Sequence, residues 1–517
     1  MLKGKTVVPA ILANILTILL TGLPVMTEQM AEVTDDTGFR PAAAQSRSDE
    51  PQGEVLLIDS LGRLVIVPAN ALPQELLPPP AIGLKAQVPN PARGNKVSEP
   101  VLRRLQETRE GKEEFRFFPS SQPELMSYLA SQDEFGNTSI RPGALIASTP
   151  LDALVQRGKY WLSEYGLRYS LTQSFTFADM TQVMQGGNAL GFYTFDLGAK
   201  WAVFNAPVSG MAGWISAHID AKTGLGYNGQ TQSAQTNLGT LTNPTSIWSS
   251  LNGFRIPELA WQQSFLHGKV VMLAGMVNQS NYIDVNSYAN NGRGQFLNSA
   301  LVNSMVMPLS AYNPGVNLQW QPNNHWYAMF GASAGNTPAG NAPWTNFSWQ
   351  TWSTLWEVGY MPDDLFGLGP GIYRIQPFLA RAGGPTQGGL CFNIQQQLGK
   401  DAPFGYFGRF GLGGSEVAAG ASAQVATGIV MKGPLKHIDV FPTRNNDAIG
   451  VGFVWSRPST TSNTPVHENE FVFEVGYVLQ LTPMAKLQPD LQVVWNPAYN
   501  SNASKAVIFQ LQIDVAW

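Results

Sequence analysis

Apolar and polar side chains alternate along the second half of the chain. At the end of the sequence the apolar residues are Phe509, Leu511, Ile513, Val515 and Trp517, and the residues between them are Gln510, Gln512, Asp514 and Ala516. The same alternation recurs over 193–203, 373–379, 449–455, 471–481 and 487–495. A period of two is typical of a β-strand with one apolar and one polar face. The pattern therefore predicts a long series of such strands.

The alternating runs are about ten residues long, which is the length that a tilted strand needs to cross the hydrocarbon layer of a membrane. Strands of soluble β-sandwiches are usually nearer five or six residues. A closed barrel is also the strand-built structure that leaves no backbone hydrogen-bonding group exposed to lipid. We therefore predict an all-β fold, a transmembrane antiparallel β-barrel with an even number of strands, from about Leu167 to Trp517.

The ends of the strands carry further information about the barrel. Both ends of the barrel segment are expected in the periplasm, with short turns such as Thr482–Ala485 on that side. Four tryptophans stand at predicted strand ends, at Trp320, Trp326, Trp455 and Trp495. A tryptophan at such a position either belongs to the interfacial girdle of a membrane protein or packs against neighbouring side chains. A short helix is predicted just before the first strand, from the spacing of Leu154, Val155, Trp161, Leu162 and Tyr165.

Composition agrees with this fold and excludes several partners. Charged residues make up only 13% of the chain, and 51 Gly, 14 Trp, 15 Tyr and 26 Phe fit many turns and many aromatic positions. The formal net charge of −4 gives no broad basic surface, so nucleic acid is not an expected partner. Cys391 is the only cysteine, and no Cys or His cluster has metal-ligand spacing, so we expect no disulfide, metal or cofactor.

The N-terminus has the layout of a secretory signal peptide. Lys3 and Lys5 precede an uncharged run from about Val7 to Met26, and we assign residues 1–27 to the signal. The alternative is an uncleaved membrane anchor, which Pro9 and Pro24 disfavour. After this run no stretch approaches 18 consecutive apolar residues, which excludes a multi-span helical membrane protein.

Residues 28–150 differ in composition from the barrel segment, 151–517. They contain the charged run Arg103–Glu114 and the proline-rich Leu77–Pro80, which predict a partly disordered periplasmic extension. Glu54–Asp59 and Leu64–Pro68 predict a short hairpin, and Pro100–Phe115 a polar helix. Such a segment is either a solvated surface or an element that binds peptidoglycan or a periplasmic protein.

Several segments resemble a known family when their order and spacing are taken together. They are Pro257–Phe265 with Gly268-Lys269 and Leu273–Gly275, then Phe296–Ala300, Asn313–Asn323 and Phe471–Asn496. The stretch from about Pro150 to Trp517 resembles the carbohydrate-selective porins of the OprB type. The resemblance implies a sixteen-stranded outer-membrane barrel for passive diffusion of carbohydrates and other small solutes, with about 22 residues per strand and connection. The extension before the barrel departs from the family and contains no recognisable S-layer homology module.

A diffusion pore needs no reaction centre, because its selectivity comes from pore width, lining groups and charges at the constriction. By strand parity the lumen candidates are Asp196, Lys200, Glu258, Gln262, Arg374, Gln376, Arg409, Glu474, Gln480, Asp490, Gln492, Gln510, Gln512 and Asp514. Arg255, Asp284 and Arg293 fall near loops that could fold inward. Each of these residues is either part of a selectivity filter or part of a solvated wall.

The C-terminal strand resembles the terminal signal that the barrel-assembly machinery recognises, with its apolar residues at Phe509, Leu511, Ile513, Val515 and Trp517.

The sequence patterns that resemble catalytic motifs lack the structural context that catalysis requires. Gly331–Gly335 matches the G-x-S-x-G pattern, but the Asn336–Asn341 segment that follows cannot begin the required helix. His437–Asp439, His467-Glu468 and the glycine-rich Gly367–Gly371 lack the partners that a triad or a phosphate-binding loop needs. We therefore predict that the chain is not an enzyme, with an outer-membrane barrel hydrolase and a structural or adhesive envelope barrel as the alternatives.

Overall fold

The computed structural model describes two parts of the chain. They are residues 54–58 and 64–68, and a C-terminal part that comprises 151, 152, 154, 155, 158, 159, 162 and 165–517, without 207–210, 226–232, 249–252, 267, 335–349, 400–402, 418, 435–446 and 461–463. The predicted signal peptide, the Pro100–Phe115 helix and the His437–Asp439 pair lie outside the described residues. Among the described residues, no helix is long and apolar enough to cross a membrane.

The short hairpin predicted in the extension is present. Strand β1, Glu54–Ile58, and strand β2, Leu64–Pro68, form a two-stranded sheet. Every described residue between 151 and 162 is helical, which agrees with the helix predicted before the barrel.

Sixteen further strands form the rest of the fold. They are β3 (Leu167–Met180), β4 (Ala189–Ala206), β5 (Met211–Gly224), β6 (Gly253–Phe265), β7 (Val270–Val277), β8 (Asn313–Asn323), β9 (Trp326–Ala334), β10 (Thr351–Tyr360), β11 (Gly371–Ala382), β12 (Gln387–Gln397), β13 (Phe404–Gly413), β14 (Ala421–Lys432), β15 (Ala448–Pro458), β16 (Glu470–Gln480), β17 (Ala485–Trp495) and β18 (Lys505–Ala516). Two short helices, α1 (Ala234–Leu238) and α2 (Ser299–Val302), and a 3-10 turn, Gln279–Asn281, lie in connections between strands.

These strands form a closed antiparallel barrel in which each strand pairs with its neighbours in the chain. The ring closes where β18 pairs with β3, with Asp514 opposite Ser174. The start of β3, the end of β18 and the turn at 481–484 lie at one end of the barrel, here called the near end, and the opposite end is called the far end. The predicted barrel of sixteen strands, from Leu167 to the C-terminus, is confirmed.

The outward face is apolar and carries aromatic side chains towards both ends. Trp320 and Trp326 are about half exposed near the near end, and the ring of Trp326 lies 4.7 Å from that of Tyr360. Trp455 and Trp495 stand on the outward face towards the far end. This arrangement fits a lipid-facing belt between two interfacial girdles.

The described residues of two long connections at the far end lie inside the barrel. We call residues 278–312, between β7 and β8, the crossing loop, and residues 225–252 the β5–β6 loop. Their apolar side chains form two buried clusters with inward residues of the wall. Examples are Ile283 with Leu355 in the first cluster and Leu301 with Val454 in the second. The inward face of the wall is therefore apolar where these loops cover it, although most strands turn their polar face inward.

Candidate functional site in the barrel interior

The crossing loop spans the barrel from one wall to the opposite one. It leaves from β7 and returns to β8, and β15 and β16 lie across the ring from these strands. The backbone N–H groups of Leu297 and Asn298 donate to the carboxylate of Glu474 on β16, at 2.6 and 3.0 Å. Two backbone hydrogen bonds to one buried side chain hold this part of the loop in a defined position. Glu474 therefore fixes the crossing loop to the wall opposite β7 and β8.

Inward glycines of the wall provide the space that the crossing loop fills. A Cβ at Gly450 would lie 2.8 Å from the ring of Phe296, and one at Gly452 would lie 2.7 Å from Leu301. A Cβ at Gly405 would overlap the ring of Tyr288. Since packed interiors tolerate little extra volume, these positions are fitted to the loop.

Arg409 and Asp284 form the most extensive charged anchor of the crossing loop. Nε of Arg409, on β13, lies 3.1 Å from both carboxylate oxygens of Asp284. Its η nitrogens donate to the carbonyl oxygens of Leu301 at 2.7 Å and Ala289 at 2.6 Å. Asp284 has φ of 69°, a left-handed conformation that is costly for a non-glycine residue. The arginine thus holds a strained turn of the loop in place.

A second cluster surrounds Arg374 on β11. Its Nε donates to the hydroxyl of Tyr327 at 2.8 Å and lies 3.6 Å from Glu357. Glu357 also accepts from the amide of Gln376 at 2.6 Å and from the backbone N–H of Asp284 at 3.1 Å. The cluster therefore connects the wall at β9–β11 to the crossing loop.

A third cluster lies on the wall formed by β3–β6. Arg293, at the tip of the crossing loop, pairs with Asp196 and donates to Ser174 at 2.7 Å. His218 lies 3.1 Å from the same Asp196. Arg255 makes a two-point contact with Asp220, on which its Nε and Nη2 lie at 2.7 and 2.9 Å. The loop tip is thereby tied to β3 and β4, whereas Leu297 and Asn298 are tied to Glu474 on β16.

The remaining predicted residues also face inward. Glu258 accepts from the hydroxyl of Tyr282 at 2.7 Å, and burial together with this carboxylate raises the pKa of Tyr282 well above its usual value. Gln492 donates to Asp490 at 2.9 Å. The two polar atoms of the buried Gln262 amide have no hydrogen-bond partner among the residues the structure describes.

Most of the predicted lumen residues are covered, and Lys200 is the one that is partly exposed. The exposed fraction is 4–6% for Asp196, Arg255 and Arg293. It is 2% or less for Glu258, Gln262, Asp284, Arg374, Gln376, Arg409, Glu474, Gln480, Asp490, Gln492, Gln510, Gln512 and Asp514. They were expected to form a filter or a solvated wall. In the structure most of them connect the inner loops to the wall.

Sequence reasoning missed several residues of the same clusters. His218 and Asp220 alternate along β5, and Glu470 has the same parity as Glu474 on β16, so strand parity could have found them. Glu470 accepts hydrogen bonds from the backbone of Leu241, Thr242 and Ala498 at 2.7 to 3.0 Å and so anchors the β5–β6 loop. Glu357 also has the inward parity of its strand, opposite the outward Trp356 and Val358, so the same reasoning could have found it.

Ser333 and the His467-Glu468 pair, which match parts of catalytic patterns, lie among the described residues. Ser333 lies inside strand β9, and its hydroxyl is 2.9 Å from that of Ser353, so it does not stand on a strand-to-helix turn. His467 and Glu468 lie in the connection before β16. Among the described residues, no group of His, Cys, Asp and Glu side chains could hold a metal ion.

Comparison with known proteins agrees with this barrel. A family described as "Carbohydrate-selective porin, OprB family" matches residues 210–389 and 379–517, more than half of the chain. The high-pH structure of OprB from Pseudomonas putida is 14% identical to this chain. The match covers 74% of this chain and all of that one, with a TM-score of 0.57. This likeness shows a shared fold. The outer-membrane channel DcaP of Acinetobacter baumannii is 8% identical with a TM-score of 0.43, with coverage of 68% of this chain and 97% of that one.

One curated relative matches over a short segment. An uncharacterized protein of Aquifex aeolicus, strain VF5, is 36% identical over 63 residues, which are 12% of this chain. The match spans about a fifth of the length of that relative. The family match extends over the barrel from β5 to β18, which includes both inner loops and the anchors Glu474, Arg409 and Glu470. The chain belongs to the OprB family of carbohydrate-selective porins.

Proposed function

We propose that the chain is an outer-membrane porin through which small solutes, chiefly carbohydrates, diffuse passively into the periplasm. The observation that carries the proposal is a closed barrel of sixteen strands with a loop that crosses its interior. Outer-membrane barrels have short turns on the periplasmic side and longer loops outside. The two long inner loops leave from the far end, so we assign the far end to the cell exterior.

The charges of the interior favour neutral solutes over ions. Four inward arginines have acidic partners within 4 Å, in the pairs Arg293–Asp196, Arg255–Asp220, Arg374–Glu357 and Arg409–Asp284. A paired charge creates only a weak field for a passing ion. The glutamine side chains of the interior are uncharged and buried, and Gln492, Gln510 and Gln512 among them bind the inner loops, so they add no field either.

Planar-bilayer recording with purified protein tests this function. We expect stepwise conductance with weak ion selectivity, and a reversible decrease when mono- or disaccharides are added. A folded, heat-modifiable barrel that gives no conductance steps would refute the proposal. A barrel hydrolase would instead release fatty acids from lipid, which the same preparation can be assayed for.

The ends of the chain fit the same location, and their roles are part of the proposal. Residues 1–27 act as an export signal and residues 28–150 as a periplasmic extension that contacts peptidoglycan or a periplasmic protein. The outward residues of β18 and Trp517 act as the signal for the barrel-assembly machinery. Phe509 on this strand is about half exposed, which suits a contact with lipid and with that machinery.

A further inference from the structure

The helical segment 151–162, which precedes β3 at the near end, has its apolar side exposed and its charged side buried. Leu151 and Leu154 are 45% and 67% exposed, whereas Asp152 and Lys159 are 1% and 5% exposed. Residues three or seven positions apart lie on the same side of a helix. The two leucines therefore share one side of the segment, and the two charged residues share another. A surface helix of a water-soluble protein has the opposite arrangement, with its charges outside.

The charged side of the segment lies against the outer surface of the barrel wall. The ammonium nitrogen of Lys159 is 5.1 Å from the centre of the Tyr169 ring, on β3. Tyr169 has the outward parity of that strand, whereas Ser174 points into the barrel and contacts Arg293. A cation over an aromatic ring is stabilised most where water is excluded. The segment therefore lies outside the ring of strands, with its leucines turned away from the wall.

The wall beside the segment exposes further apolar side chains. Trp201 on β4 lies opposite Leu167 in the register of β3 and β4, and Trp201 and Val203 are each about half exposed. Tyr165, which follows the segment, is also exposed. Tyrosine and tryptophan are enriched where the hydrocarbon of a membrane meets its headgroups. The exposed leucines thus extend the lipid-facing surface of the barrel at its near edge.

We propose that the leucine side of segment 151–162 lies in the lipid leaflet at the near end and anchors the start of the barrel to the membrane surface. Interfacial helices bury their apolar face about 5–10 Å into the boundary between headgroups and acyl chains. Lipid on this side explains why Asp152 and Lys159 face the wall, since a charged side chain in hydrocarbon is costly. With the far end assigned to the cell exterior, the leaflet is the periplasmic one. The extension before residue 151 is then held at the membrane surface as well as by the barrel.

Fluorescence quenching of the full-length protein in lipid nanodiscs, which leave both ends of a barrel accessible, tests this contact. Leu154→Cys is labelled with a fluorophore in a Cys391→Ser background. Phe366→Cys is the matched control, because Phe366 is 91% exposed in the near-end connection between β10 and β11. We expect lipids with doxyl groups on their acyl chains to quench most of the emission at position 154, and iodide in the water to leave it unchanged. The control should show the reverse.

Two results of this measurement would overturn the anchor. Quenching of the label at position 154 by iodide would place the segment in water. Quenching by neither agent would mean that a second copy of the chain, or its own extension, covers the leucines.

Leu154→Asp tests the anchor without a label, through the rate at which trypsin cleaves at Lys159. Because Lys159 is buried while the segment lies on the wall, cleavage there reports detachment. We expect the rate in nanodiscs to increase about tenfold, the size expected when one leucine loses its apolar surroundings. Phe366→Asp should be cleaved at the wild-type rate. A heat-modifiable Leu154→Asp barrel with wild-type cleavage would also overturn the proposal. Neither measurement uses conductance, so the anchor and the porin function are tested separately.

Discussion

Replacement of Arg409 should release the crossing loop and widen the pore. The side chain is about 1% exposed and contacts Asp284 and the carbonyl oxygens of Leu301 and Ala289. Arg409→Met keeps much of the volume but leaves the Asp284 carboxylate buried without its cation. Removal of one partner of a buried ion pair costs about 3–5 kcal/mol. Since about 1.4 kcal/mol is a factor of ten, the population of barrels with a displaced loop should increase about 100-fold or more.

Single-channel recording is the assay for this prediction. Arg409→Met should give a larger mean conductance with frequent transitions between levels, and block by sugars should weaken. Asp284→Asn combined with Arg409→Met removes both charges, so the double variant should be less destabilised than the sum of the two single variants. The temperature of the heat-induced gel shift reports that stability.

Arg457→Met is the matched control, because Arg457 is an exposed arginine on the neighbouring part of the wall in β15. It should behave as wild type, since isolated surface charges contribute little. Arg409→Met with wild-type conductance and the same gel-shift temperature as Arg457→Met would refute the anchoring role. A change in ion selectivity alone, with conductance unaltered, would indicate instead that Arg409 acts as a charge of the open pore.

Three further predictions concern other parts of the barrel. Gly450→Leu places a side chain where Phe296 packs, so we expect a loss of about 1–3 kcal/mol, measured by the gel-shift temperature, and a displaced loop that proteases cleave. Glu470→Gln sets an amide nitrogen against converging N–H donors and should expose the β5–β6 loop to proteases at a cost of about 1–3 kcal/mol, whereas the exposed Glu468→Gln should not. Trp517→Asp should reduce the amount of folded barrel in the outer membrane, and wild-type abundance in a quantitative blot would contradict this.

The barrel could be predicted because its physical signal is local. Strands such as β16 and β18 alternate without interruption, so that their inward and outward residues are evident from parity. The number of strands came from the family resemblance. Strand β7 could not be recognised by alternation, because Val271 and Leu273 face inward into an apolar cluster and their neighbours face lipid.

The interior was harder to predict, because it depends on contacts between distant segments. Parity gave the inward direction of Arg374, Arg409 and Glu474 correctly. It could not show that residues such as Asp284 and Leu297 would come to lie against them, since hydrogen bonds between loops and wall span more than a hundred positions of the sequence. Arg409 and Glu474 contact the crossing loop in the structure, and their part in selectivity stays a prediction.

The crossing loop also constrains the order in which the protein can assemble. It is held both by early strands, through Asp196 on β4, and by late ones, since Leu297 binds Glu474 and Gly292 binds Gln512 near the end of the chain. Contacts between such distant positions form slowly. The loop therefore reaches its full set of contacts only when β16 and β18 are in place, and it has to be inside the ring before β18 meets β3. A chain that closes with the loop outside traps a folded-looking barrel with an empty interior, so the final pairing step also decides whether the finished channel is wide or narrow.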